Sequence, residues 1–249
     1  FIMPDGDTLY FFFTPDVSVP AEQQVLDGVT GLWVSHKVDG AWTEPERIIL
    51  NDDLSLDGCY FVQDDVMWFC SVREGNYREI DFYVAYYREG EWTDWENVGE
   101  QLNADYGIGE LHISADGNTM YFHAPGGYGG SYLGGLDLWV TEWVDGDWSQ
   151  PVNLGPLVNS EYDDGWPYLS PDGTELWFLR SHSIYGDPGP ALYRSLLQPD
   201  GSWGEPVEIV SSFAGEPSLD AAGNLYFVHH YYDAEGTMIE ADIYVAYRK

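Results

Sequence analysis

The chain has 249 residues, 44% of them hydrophobic and 16% aromatic, which is enough to bury a sizeable core and disfavours a disordered chain. Nine Lys and Arg stand against 43 Asp and Glu, a formal charge of −34. That balance disfavours nucleic acid and anionic membrane surfaces as partners, and it suits cations, cationic partners or a solvated surface.

Taken in order, the chain repeats one unit. Leu9-Tyr10-Phe11 follows the turn residues Pro4-Asp5-Gly6, and the pattern returns as Met67-Trp68-Phe69, Met120-Tyr121-Phe122, Leu176-Trp177-Phe178 and Leu225-Tyr226-Phe227. Each triplet is a β-prone apolar run behind a tight turn, best formed at Ser170-Pro171-Asp172-Gly173. A third strand follows in every unit: Leu32-Trp33-Val34, Phe82-Tyr83-Val84, Leu138-Trp139-Val140, Leu192-Tyr193-Arg194 and Ile243-Tyr244-Val245. In four units a turn and a Trp come next (Trp42, Trp92, Trp148, Trp203), opening a fourth strand. Pro45, Pro151 and Pro206 in that strand confine it to an outer edge, because Pro has no N–H to give a neighbour.

Four antiparallel strands per unit predict an all-β, five-bladed β-propeller, with blades at approximately 1–56, 57–108, 109–164, 165–214 and 215–249 of one domain. The fifth unit stops at Lys249 before its fourth strand, which leaves a three-stranded blade unless a segment upstream of Phe1 completes the ring. No apolar run approaches transmembrane length, and no signal-peptide pattern opens the chain, so any targeting segment has been removed or lies upstream.

Ser170-Pro171-Asp172-Gly173, the Leu-Tyr/Trp-Phe triplets, Asp137-Leu138-Trp139-Val140 and Trp148-Ser149-Gln150-Pro151-Val152-Asn153-Leu154-Gly155 resemble the TolB-like propeller repeat over nearly the whole chain, as does the glycine-rich 125–130. The resemblance implies the fold, and with the acidic composition an extracellular or cell-envelope location. It implies no activity, because the shared residues form turns, core and edges.

Function falls to the other rim, where the second-to-third strand loops (14–30, 72–80, 124–136, 180–190 and 229–241) are long and dissimilar. Acids gather at the entry to the inner strands: Asp57, Glu110, Asp163, Asp164 and Glu216. Asp57, Glu110, Asp164 and Glu216 are candidates for a Ca²⁺ site, for acid/base catalysis of glycoside hydrolysis, or for bonds to main-chain N–H groups in the turns. Trp166, outside the repeat columns, is a candidate stacking platform; Tyr60, His112, Asp163, Asp164 and Arg180 complete the ligand-binding set. Asp81, Asp137 and Asp242 recur just before the third strand and are expected to cap the preceding loop. Across a two-residue turn at Asp64-Asp65, Cys59 and Cys70 fall opposite each other, leaving a cross-strand disulfide or two buried thiols open.

The leading expectation is a non-enzymatic propeller that binds a protein or glycan, with no required cofactor and a possible bound Ca²⁺. The alternative is a glycoside hydrolase resembling the five-bladed arabinanases and xylosidases. The resemblance places an acid on the first inner strand, where this chain has Phe1-Ile2-Met3-Pro4. A structural role inside a larger protein is the third possibility.

Overall fold

The computed structural model describes residues 1–16, 19, 21–50, 55–125, 133–181, 189–235 and 237–249. The protein is all-β, a five-bladed β-propeller built from five antiparallel sheets. Two compact units carry it, 1–107 with blades 1 and 2 and 108–249 with blades 3 to 5. We letter the strands of a blade a to d outward from the inner one.

In the first unit, blade 1 has a bridge at Ile2, then Thr8–Phe13, Gly31–Val38 and two short outer pieces, Ala41–Trp42 and Glu46–Arg47. Pro45 sits in the gap between those pieces, as its missing N–H requires. Blade 2 has Trp95 instead of Pro, and its outer strand runs unbroken from Glu91 to Asn97. Its a, b and c strands are Asp57–Gln63, Val66–Ser71 and Asp81–Arg88. Leu32, Leu50, Val62, Met67, Phe69, Tyr83 and Ala85 form one core cluster of this unit.

In the second unit, blade 3 comprises Leu111–Ile113, Thr119–Ala124, Asp137–Val144 and an outer strand split at Pro151 into Asp147–Trp148 and Val152–Asn153. Blade 4 comprises Asp163–Leu169, Glu175–Ser181, Ala191–Leu196 and Val207–Val210. Blade 5 has three strands, Ala214–Leu219, Leu225–Tyr232 and Met238–Ala246, as the missing fourth turn predicts. Leu138, Val158, Leu176 and Phe178 make up one core cluster of this unit. The b and c columns stack face to face at Phe69–Tyr83, Phe178–Tyr193 and Phe227–Tyr244, with centroids 5.6, 6.0 and 5.9 Å apart.

Two expectations about loops are corrected. The segment 229–241 is mostly paired strand among the described residues, because the β-prone run His229-His230-Tyr231-Tyr232 keeps pairing with residues 238–242. Asp242 is therefore an exposed residue opposite His229 in mid-hairpin, with no loop to cap. Asp81 and Asp137 do cap. Asp81 accepts from the N–H groups of Tyr77 (2.8 Å) and Arg78 (3.1 Å), and Asp137 from those of Leu133 (2.9 Å) and Gly134 (3.3 Å).

Both caps belong to a larger device. Asn97 Nδ2 donates to Asp81, Asn103 Nδ2 to Asn97 Oδ1, and Asn103 Oδ1 accepts from the N–H of Phe82. Asn153, Asn159 and Leu138 repeat these bonds around Asp137. The network ties the outer strand and the following connection to the start of strand c. Its buried members are satisfied, which is what makes a buried polar cluster tolerable.

Candidate functional site

At or just before the start of the inner strand, blades 2 to 5 each carry Gly followed by a variable residue: Gly58-Cys59, Gly109-Glu110, Gly165-Trp166 and Gly215-Glu216. In blades 2, 4 and 5 the strand pairing slips there, between Gly58 and Phe61, Gly165 and Tyr168, and Gly215 and Ser218. Cys59, Trp166 and Glu216 take positive φ of 49°, 50° and 53°. A non-Gly residue held left-handed inside a strand costs of order 1–3 kcal/mol, and such bulges re-aim a side chain out of the pleat. The same bulge decides the cysteines. Gln63–Val66, Val62–Met67 and Phe61–Trp68 keep the register expected from the turn, but beyond the slip Cys70 faces Gly58. Cys59 and Cys70 are thiols, not a cystine.

The predicted site acids divide by what they touch. Asp57 accepts from Ser71 Oγ (2.6 Å) and from Arg73 Nη2 (2.8 and 3.0 Å). Asp164, with no exposed surface, accepts from Arg180 Nε (2.6 Å) and from the N–H and Oγ of Ser160 (2.6 and 2.7 Å). Burial pushes both carboxyls up, against the pull of their serine and arginine partners. The two arginines lie over the aromatic stacks, Arg73 over Phe69, Tyr83 and Trp95, and Arg180 over Phe178 and Tyr193. Ala214 takes the acid's place in blade 5. These pairs close the tops of blades 2 and 4.

Asp163 Oδ1 accepts from the N–H of Leu136 (2.9 Å), a turn contact of the kind weighed for all these acids. Tyr60 donates to the carbonyl of Tyr10 (2.8 Å), tying two blades of the first unit. Glu110 is half-buried, and its carbonyl accepts from His123 N–H (3.2 Å). Glu216 is exposed. Among the described residues no group of three or more His, Cys, Asp or Glu side chains is placed to hold a metal ion, so the expected Ca²⁺ site at Asp57, Glu110, Asp164 and Glu216 gains no support. His182 and the glycine-rich 126–130 lie outside the described residues.

Within the second unit the inner strands of blades 3, 4 and 5 are neighbours. The half-buried Trp166 packs on His123, centroids 4.9 Å apart and planes at 48°, and its main-chain N–H donates to His123 Nδ1 (3.2 Å). That bond puts the proton of neutral His123 on Nε2. Burial holds the imidazole neutral, pulling its pKa down to about 4. His123 lies against two glycines: a Cβ at Gly109 would fall 2.2 Å from its ring and 2.8 Å from its carbonyl, and one at Gly165 3.1 Å from Nδ1. Gly109→Ala is therefore expected to cost about 1–3 kcal/mol and to displace the imidazole under Trp166, read as a lowered melting temperature. His112, buried at the edge of Tyr168 (4.5 Å), has its pKa lowered to about 3 by burial alone. Tyr168 in turn donates to the carbonyl of Leu219 (2.8 Å), linking blades 4 and 5.

Sequence reasoning located Trp166 but missed its support, His123, along with Arg73 and the Asn pairs. The Asn pairs had a signal, since Asp81/Asn97/Asn103 and Asp137/Asn153/Asn159 share the same offsets.

The fold and this site define a five-bladed β-propeller with an aromatic residue presented from an inner-strand bulge. No family model matches the sequence, and no curated protein matches it. Solved structures do. A protein described as TolB from Agrobacterium tumefaciens is similar at 14% identity over 99% of this chain and 79% of that one, with a TM-score of 0.50. A protein described as a glycoside hydrolase is similar at 11% identity over 87% of this chain and 78% of that one, with a TM-score of 0.54. Identities this low show the fold alone. Among the described residues no helix is long and apolar enough to cross a membrane.

Proposed function

We propose that the protein is a binding propeller of TolB-like type, without catalytic turnover, working outside the cell or in its envelope. It takes a glycan or protein ligand on the rim of the inner-strand bulges. The observation that carries this reading is the division of labour among the candidate residues. Asp57 and Asp164, which a hydrolase would need open, are engaged by Arg73 and Arg180, while Trp166 is left half-exposed on a rigid imidazole. An aromatic ring held at low conformational entropy favours a sugar face over a charged substrate. The strain of the left-handed bulge is consistent with that role, since such strain concentrates where a side chain is held for function.

The test is a glycan-panel binding assay on the native protein and on Trp166→Ala. The expected result is a ligand whose affinity falls at least tenfold in the variant while the fold is kept. A panel ligand bound equally well by both proteins contradicts the reading. The alternative, a glycoside hydrolase, draws on the similar fold of the solved glycoside hydrolase, and it requires Glu110 or Glu216 to act without Asp57 or Asp164.

A further inference from the structure

We propose that a cleft between the outer parts of blades 1 and 2 is a binding site for an alkylammonium group, as borne by a lysine side chain or a methylated amine. The cleft belongs wholly to the first unit, encloses about 380 Å³, and is lined by Tyr10, Tyr87, Trp92, Glu46, Glu91 and Arg47 among others. Three aromatic rings meet there: Tyr10 and Trp92 edge to face at 6.3 Å, and Tyr87 and Trp92 at 5.1 Å and 56°. Rings set at such angles turn more than one π face to one space, the arrangement that attracts a cation through the ring quadrupoles.

The repeat shows what is ordinary about this cleft and what is special. Tyr121 and Trp203 meet between blades 3 and 4 as Tyr10 and Trp92 do here, at 6.0 Å and 73°. That edge contact is therefore part of blade packing and comes pre-organised. The residue opposite Trp203 is Leu197, whereas the residue opposite Trp92 is Tyr87. The third ring is present only at the first of these two sites.

Charge favours the same occupant. Glu46 and Glu91 are exposed on the lining, and among the described residues neither is in an ion pair. Arg47 also lines the cleft, but its Nη atoms are turned to the carbonyls of Gly28 and Thr30, 2.7 Å each. Two carboxylates against one engaged guanidinium leave a negative cleft on a chain of charge −34. A compact ammonium on an alkyl stem fits both features, the carboxylates drawing the charge and the rings covering the stem.

The experiment follows the Trp92 indole N–H by NMR at pH 8 in 50 mM salt, its signal assigned with Trp92→Phe. The probes are Nα-acetyl-lysine methylamide, its Nε-trimethyl form and the neutral norleucine analogue. Both cations are expected to shift the Trp92 signal saturably and the norleucine analogue to leave it unmoved. Glu91→Gln, at an exposed position opening the outer strand of blade 2, is expected to weaken the cations at least threefold, and Tyr87→Leu, which installs the residue found opposite Trp203, at least tenfold. Equal binding of the norleucine analogue overturns the proposal. So do cation shifts spread over the acidic surface and unchanged in both variants, since that is the signature of diffuse attraction rather than a site.

Discussion

Asp164→Ala is expected to cost about 3–5 kcal/mol, the range for removing one partner of a buried ion pair. The variant leaves Arg180 with its Nε unanswered beneath the rim of blade 4, and Ser160 loses the acceptor of both its N–H and its hydroxyl. In a chain of this size that loss lowers the melting temperature by roughly 6–20 °C, which a thermal melt reads directly. Asp164 is raised, not lowered, by its surroundings, so burial outweighs the pull of Arg180 on the carboxylate. The pair as a whole is then worth no more than a well-packed apolar pair. The double variant Asp164→Leu/Arg180→Met is expected to recover most or all of the loss, a non-additivity that a double-mutant cycle measures. If the single variant melts within 2 °C of the native protein, the ion pair is not what closes blade 4.

Acid is expected to weaken the protein well above the carboxylate range, and His112 and His123 supply the effect. An unfolded histidine titrates near 6.5, whereas burial against Tyr168 pulls His112 down to about 3. The folded pKa is depressed, so below 6.5 the unfolded chain takes up a proton that the folded chain refuses. Stability is then complete above pH 7 and is lost as pH falls from 6.5 toward 3. From pH 7.5 to 5.0 His112 alone accounts for about 2 kcal/mol, or roughly 4–8 °C of melting temperature. His123, pulled down to about 4, adds a share of similar size over this window and in the same direction. His112→Phe keeps an aromatic edge against Tyr168 and should remove about half of the slope between pH 7.5 and 5.0, leaving the part due to His123. Comparing variant with native protein at each pH cancels the raised Asp57 and Asp164, whose protonation acts with the opposite sign. An unchanged slope in His112→Phe would assign the acid lability elsewhere.

The blades were legible because their signals are local. The turn at Ser170-Pro171-Asp172-Gly173, the Leu-Trp-Phe triplet behind it and the Pro in three of the outer strands act within a few residues, and the recurrence of the unit makes them unmistakable. The site was legible only in part, because its decisive contacts are not local. Nothing near Trp166 in the sequence announces His123, 43 residues earlier, or the Gly109 that gives the imidazole its space. The bulge shifted Cys70 from Cys59 to Gly58, since register counted from a turn holds only until a strand gains an extra residue. The loop expected at 229–241 failed for the reverse reason: aromatic and β-branched residues extend a hairpin past the point where the repeat elsewhere breaks.

Binding without turnover is the property on which the proposed function stands or falls. The measurement that tests it most directly takes a glycan retained in the Trp166-dependent assay and incubates it for a day with stoichiometric protein, while anomeric protons are followed by NMR. The expected result is an intact ligand with broadened signals and no new reducing end. Release of sugar that is abolished by Glu110→Gln or Glu216→Gln in folded protein would contradict it and make the protein a glycoside hydrolase.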